Sequence, residues 1–155
     1  IVGNAGVLLT RVEYVKHGRS KKFVVVDSGM HQLVRPALYG AYHFVWPVRV
    51  DASRVPADMR ERAELPGLEM CDVVGPICES SDFLAQDRAL PPVVQGDLIA
   101  VFSAGAYGMS MASTYNDHPR PAEVLADDGR ALLIRPRQGV FELVAPELGA
   151  PTAIV

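Results

Sequence analysis

At 155 residues, 49% of them apolar and 21% charged, the chain has the composition of one ordinary globular domain and can bury a core. A formal net charge of −3 with scattered Lys and Arg excludes a basic nucleic-acid surface, and no apolar run reaches the roughly 20 residues that cross a bilayer. Cys71 and Cys78 are too few for a disulfide framework and no Cys/His set stands at metal-ligand spacing, so a cytosolic protein with reduced thiols and no metal is expected.

The chain opens IVGNAGVLL, with Ile1 where an initiator methionine would stand and no signal-peptide pattern. It is expected to be an internal or C-terminal piece of a longer protein. Asn4, ahead of AGVLLTRV, is placed as the N-cap of a short helix. TRVEYVKHG then alternates, with Val12, Tyr14 and Lys16 on one face and Arg11, Glu13 and Val15 on the other. HGRSKK is a turn and KFVVVD a second strand, together a hairpin. MHQLVRPALYG holds Pro36 in its middle, so any helix there is short and begins near that proline. AYHFVWPVRV, LEMCDVV and DLIAVFSA are further strands. DASRVPADMRERAELPG reads as a polar surface loop without function. VLADDGRALLIR is two apolar runs joined by Asp-Asp-Gly, a hairpin signal because Gly accepts positive φ. About six to eight short strands with Gly and Pro punctuation make the chain mainly β, a barrel or sandwich.

The stretch GPICESSDFLAQDR leaves two readings of Cys78. Free cysteine is often buried, which favours a core thiol. Yet Gly75-Pro76 forces a turn before it and Glu79, Ser80, Ser81 and Asp82 follow, which suits a tunable thiol carried on a polar loop. Cys71, amid Leu68, Met70, Val73 and Val74, fits the core. Arg35 and Tyr39 share one side of a helical turn if Pro36 opens it. An Arg fork there suits a substrate carboxylate, and a surface salt bridge beside a packed tyrosine is the alternative. In SAGAYGMSMAS, Gly105 and Gly108 flank Tyr107, whose phenol could meet a phosphate or a ring, or simply occupy a glycine-rich turn. His31, His43 and His118 have no partner spacing, and none is assigned a role.

GPICESSDFLAQDR resembles the C-terminal region of diaminopimelate decarboxylases, pyridoxal-phosphate enzymes of the alanine-racemase-like fold. GNAGVLLTRVEYVK, KKFVVVDSGM, RPALYGAYH and SAGAYGMSMASTYNDHPRPAEVL are similar to that family in the same order, so the resemblance runs from Ile1 to about Arg137. It implies a C-terminal β-domain over 14–155 and, over 1–13, the end of an N-terminal (β/α) barrel. It also implies that Cys78 is the catalytic proton donor, that Glu79 binds the distal ammonium of the substrate, and that Arg35 and Tyr39 bind substrate, with Arg35 on the distal carboxylate. Tyr107 would contact both cofactor and substrate. The implied cofactor is pyridoxal 5′-phosphate, whose Schiff-base lysine belongs to the barrel that this chain lacks. The implied assembly is a cytoplasmic homodimer whose subunits share each active site, acting on a small amino acid in lysine biosynthesis and on neither nucleic acid nor membrane.

Ser81 departs from the family's usual glycine, and the tail RPRQGVFELVAPELGAPTAIV departs from its arginine-rich ending. Glu79, where ornithine decarboxylases would carry aspartate, favours diaminopimelate over an ornithine/arginine-type enzyme. A non-catalytic homologue acting as a binding or regulatory partner is the rival reading. The 155 residues alone are expected to be inactive.

Overall fold

A computed structural model describes residues 1–59 and 63–151, which fall into two compact units, Ile1–Ala112 and Ser113–Val155. The first unit is built on six strands: β1 (Leu8–His17), β2 (Lys22–Val26), β3 (Val45–Pro47), β4 (Glu69–Val74), β5 (Phe83–Leu90) and β6 (Leu98–Val101). They form one sheet in the order β3-β6-β1-β2-β4-β5, antiparallel except at β2–β4. The edge strands β3 and β5 also approach each other, so the sheet curls almost into a barrel, the mainly β fold the strand count implied.

The core lies inside that curl. Val12, Val24, Val73, Ile99 and Val101 are fully buried, β-branched residues whose stiff side chains suit a pleated surface. Phe44 stacks on Trp46 at 5.5 Å, and the indole Nε1 donates to the Arg54 carbonyl at 3.1 Å. This bond ties the surface loop to the core at Arg54; residues 60–62 of that loop lie outside the described residues.

Two local expectations need correction, and one strand was not anticipated. Asn4 caps no helix: the short α1 spans Val2–Ala5, Asn4 lies within it, and its Oδ1 accepts from Ser103 Oγ at 3.0 Å. The apolar run after it is drawn into β1 instead. The alternation of β1 breaks at Glu13, an extra residue in the pairing with β2, since Val12 faces Val26 while Tyr14 faces Val25. That bulge exposes Tyr14 and turns Val15 inward, reversing the expected faces. Finally, FLAQDRAL forms β5, although its polar centre hides it. Asp87 sits at φ 51° in a stretch where the register with β4 shifts, its N–H donating to Asp72 Oδ1 at 2.7 Å.

The one-turn helix α2 (Arg35–Tyr39) begins as expected, with Pro36 at its start, and ends on Gly40 at φ 64°. In the second unit, β7 (Glu123–Asp127) and β8 (Arg130–Arg135) form the expected hairpin. Asp128 and Gly129 both take positive φ, as a two-residue turn of the strands' own twist requires. A short helix, α3 (Val140–Val144), follows, with the Glu142 carboxylate accepting from the Gly139 N–H at its start. Residues 152–155 of the divergent tail lie outside the described residues. Among the described residues no helix is long and apolar enough to cross a membrane, and no cluster of His, Cys, Asp or Glu could hold a metal ion.

Candidate active site

Arg35, Tyr39 and Tyr107 form one cluster. One turn of helix puts the first two on the same face, and Arg35 Nε approaches Tyr39 Oη at 3.4 Å. The guanidinium carbon lies 5.7 Å from the centroid of the Tyr39 ring and 5.8 Å from that of Tyr107. Both are cation–π distances. The Tyr39 hydroxyl also reaches Met111 Sδ at 3.9 Å. Arg35 itself is half-buried, while both tyrosine rings are largely exposed.

Tyr107 is presented by a strained turn. Its φ of 59° is left-handed, which a tyrosine adopts only at a cost and only where the surroundings impose it. Two residues earlier, Gly105 allows a close approach: a Cβ there would lie 2.0 Å from the Val2 carbonyl oxygen and 2.7 Å from the Gly6 nitrogen. The turn is therefore pinned against the α1–β1 junction, where Gly105 N also donates to Gly3 O at 3.1 Å.

His43, assigned no role from sequence, joins the two parts of the cluster. It is 1% exposed, and its Nδ1 donates to the Phe102 carbonyl at 2.8 Å. It thus ties the segment after α2 to the residue that leads into the Tyr107 turn. Burial pushes the imidazole pKa below its usual range; the Phe102 carbonyl opposes this and the Arg35 charge adds to it. The ring is neutral, with the tautomer set by that hydrogen bond. No spacing rule finds such a residue, because its partner is 59 positions away.

Cys78 and Glu79 are carried elsewhere, on the 75–82 turn between β4 and β5, and both side chains are exposed. The choice left open for the thiol is settled as to place: Cys78 is on the loop. Cys71 is the core thiol, 2% exposed, with its pKa pushed up to about 11 chiefly by burial. Within the turn, Glu79 N donates to Ile77 O at 2.8 Å and Asp82 N to Glu79 O at 3.0 Å. These bonds fold the backbone so that Ile77 and Asp82 point inward while Cys78, Glu79 and Ser80 point out. In the sequence Asp82 is one member of a polar run; its burial is a tertiary fact.

Chemically, the cluster offers a planar cation flanked by two phenols, suited to a carboxylate, and the turn offers a thiol and a carboxylate. For a pyridoxal-type cofactor the fit is partial. The exposed Tyr107 ring and phenol can meet an aromatic ring or a phosphate. The chain's lysines, Lys16, Lys21 and Lys22, all lie around the β1–β2 hairpin. There Lys21 is paired with Asp72 and Asp87, and Lys22 with Glu69.

The family model described as pyridoxal-dependent decarboxylase, C-terminal sheet domain, matches residues 1–105. The chain is 45% identical over 148 residues to a diaminopimelate decarboxylase of Aquifex aeolicus, covering 96% of this chain and 32% of that one. With the Pseudomonas aeruginosa protein of the same name it shares 51% over 147 residues, 95% of this chain and 32% of the relative. The crystal structure of diaminopimelate decarboxylase from M. jannaschii in co-complex with L-lysine superposes with a TM-score of 0.83 at 36% identity, over 96% of this chain and 31% of that one. The chain thus spans about a third of the length of the relatives it matches.

Proposed function

We propose, from the premise that this chain belongs to the pyridoxal-dependent decarboxylase family as its C-terminal sheet domain, that it serves in a diaminopimelate decarboxylase releasing carbon dioxide from meso-2,6-diaminopimelate to leave L-lysine. The observation that carries the reading is the Arg35 guanidinium lying 5.7 Å from the Tyr39 ring centroid and 5.8 Å from that of Tyr107. A fixed, planar cation recognises a carboxylate that the reaction leaves untouched. Such an anchor distinguishes diaminopimelate from ornithine or lysine, which lack that group.

In this reading Arg35 grips the distal carboxylate and Tyr39 steadies the guanidinium from one side. Glu79 accepts the distal ammonium, so the two ends of one amino-acid group meet opposite charges. Tyr107 contacts substrate and cofactor together. The Cys78 thiol donates its proton to the substrate carbon that has lost carbon dioxide, on one face only, which gives a single stereochemical product. Pyridoxal phosphate, when bound, supplies the electron sink for that carbon. Its anchoring lysine is assigned to a (β/α) barrel ahead of this chain, which residues 1–13 would finish and from which β1 would pass into the sheet. The exposed Cys78–Glu79 turn suits delivery across a homodimer interface into the neighbouring subunit's site, in a cytoplasmic enzyme. The isolated chain is then inactive.

The test is carbon dioxide release by the full-length protein loaded with pyridoxal phosphate. Meso-diaminopimelate should be turned over, and ornithine, arginine and lysine at least ~100-fold more slowly in kcat/KM. Faster turnover of ornithine, or none of diaminopimelate, rejects the reading.

A further inference from the structure

Asp82 is a buried carboxylate, 5% exposed, at the foot of a turn whose tip is open to solvent. Burial of a carboxylate is costly unless hydrogen bonds replace its water. Here Oδ2 accepts from the Ile77 N–H and Oδ1 from the Met30 N–H, each at 2.6 Å. Both are charge-assisted and short. Ile77 directly precedes Cys78. Met30 belongs to the 27–34 connection between β2 and α2, 52 positions before Asp82.

The space around the carboxylate is shaped for it. A Cβ on Gly29 would lie 2.5 Å from Oδ1, and one on Gly75 would lie 2.4 Å from Oδ2 and 2.6 Å from Gly29 Cα. Two glycines therefore allow the turn and the connection to close on the side chain from both sides. Ser81 Oγ adds a 4.0 Å contact to Met30 Sδ. The connection is itself firm: Ser28 Oγ bonds Gln32 Oε1 at 2.8 Å, Leu33 N donates to Gly29 O at 3.1 Å, and Leu33 is 1% exposed. At the base of the turn the β4–β5 register shifts between Val73 and Val74, and Gly75 N donates to Asp82 O at 3.1 Å.

We infer that Asp82 is a positioning residue: it locks the turn carrying Cys78 and Glu79 onto the core-anchored β2–α2 connection, and so fixes where the thiol stands. The roles of Cys78 and Glu79 rest on the decarboxylase reading above; the lock itself does not. Its effect is on the place of the proton donor, not on its chemistry. A thiol displaced by about 1 Å loses on the order of 100-fold in rate.

The experiment uses full-length holoenzyme carrying D82N, which keeps the shape and gives up one of the two acceptor oxygens. A second variant, G29A, keeps the carboxylate and crowds it out. Amide exchange by mass spectrometry and steady-state kinetics are measured on both. In whichever variants fold, exchange in peptides over 75–83 and 28–34 should rise at least ~10-fold, with β1 and β6 unchanged. At the same time kcat should fall ~10–100-fold with cofactor absorbance retained. Exchange that stays at the wild-type rate, or rises evenly through the sheet, overturns the lock. Local exchange that rises while kcat stays normal overturns its positioning role. If wild-type enzyme fails to decarboxylate diaminopimelate, the substrate reading falls, and the exchange arm still decides the lock.

Discussion

The guanidinium carbon of Arg35 lies 5.8 Å from the ring centroid of Tyr107, a residue 72 positions later whose backbone is held at φ 59°. A strained tyrosine is thus set against a half-buried cation, in a turn whose Gly105 packs closely on the α1–β1 junction. Four expectations follow from this arrangement and its neighbours.

Arg35→Ala in the full-length enzyme should raise KM for diaminopimelate and lower kcat/KM by ~100-fold or more, because a charged substrate group loses its fork. Arg35→Lys should recover little, since an ammonium neither forks nor stacks between two rings. Steady-state kinetics decide it. A normal KM in Arg35→Ala would remove the distal-carboxylate role.

Tyr107→Asn should leave the melting temperature unchanged or higher while activity drops. Asn tolerates left-handed backbone, and relief is worth about 1 kcal/mol. Tyr107→Phe keeps the ring beside Arg35 and isolates the phenol. Thermal unfolding measured alongside kcat/KM separates the two effects; a lower melting temperature for the Asn variant would contradict the strain.

The two cysteines should behave oppositely. Under native conditions iodoacetamide should label the exposed Cys78 and leave Cys71 intact, whose buried thiol has a pKa of about 11. Peptide mass spectrometry reads this directly. Cys78→Ala should lower kcat by ~100- to 10,000-fold with the cofactor spectrum retained, as loss of a general acid does.

His43 should make stability depend on pH in one direction. Burial holds its folded pKa below the unfolded value of about 6.5, so the unfolded chain takes up the proton first as pH falls. The contribution is complete above about pH 6.5 and is lost on acidification through the lower folded value. The slope is at most about 1.4 kcal/mol per pH unit. Melting temperatures from pH 8 to 5 should show it, and His43→Gln should flatten that part of the curve.

Several elements with a local cause are legible in the sequence. The β1–β2 and β7–β8 hairpins, the helical turn opened by Pro36 and the strands around Cys71 and Ile99 are written in β-branched runs, a proline and an Asp-Gly turn. Ordered blocks that resemble a family also nominate the candidate residues. Their grouping in space was not legible: Arg35 and Tyr39 share a helical turn, but Tyr107 comes from 72 positions later, and only the tertiary fold sets it beside Arg35.

What the sequence by itself determined, then, is the kind of fold, the residue types available for chemistry, and a core position for Cys71; the place of Cys78 came from the structure. Only the tertiary structure decided that a bulge at Glu13 reverses the faces of β1 and that a polar run forms β5. It alone buried Asp82 beneath the Cys78 turn and His43 between α2 and the Tyr107 turn. The reason is range. Backbone propensity and side-chain alternation act over a few residues, whereas a buried carboxylate or imidazole is placed by partners 52 and 59 positions away, which meet only when the sheet curls closed.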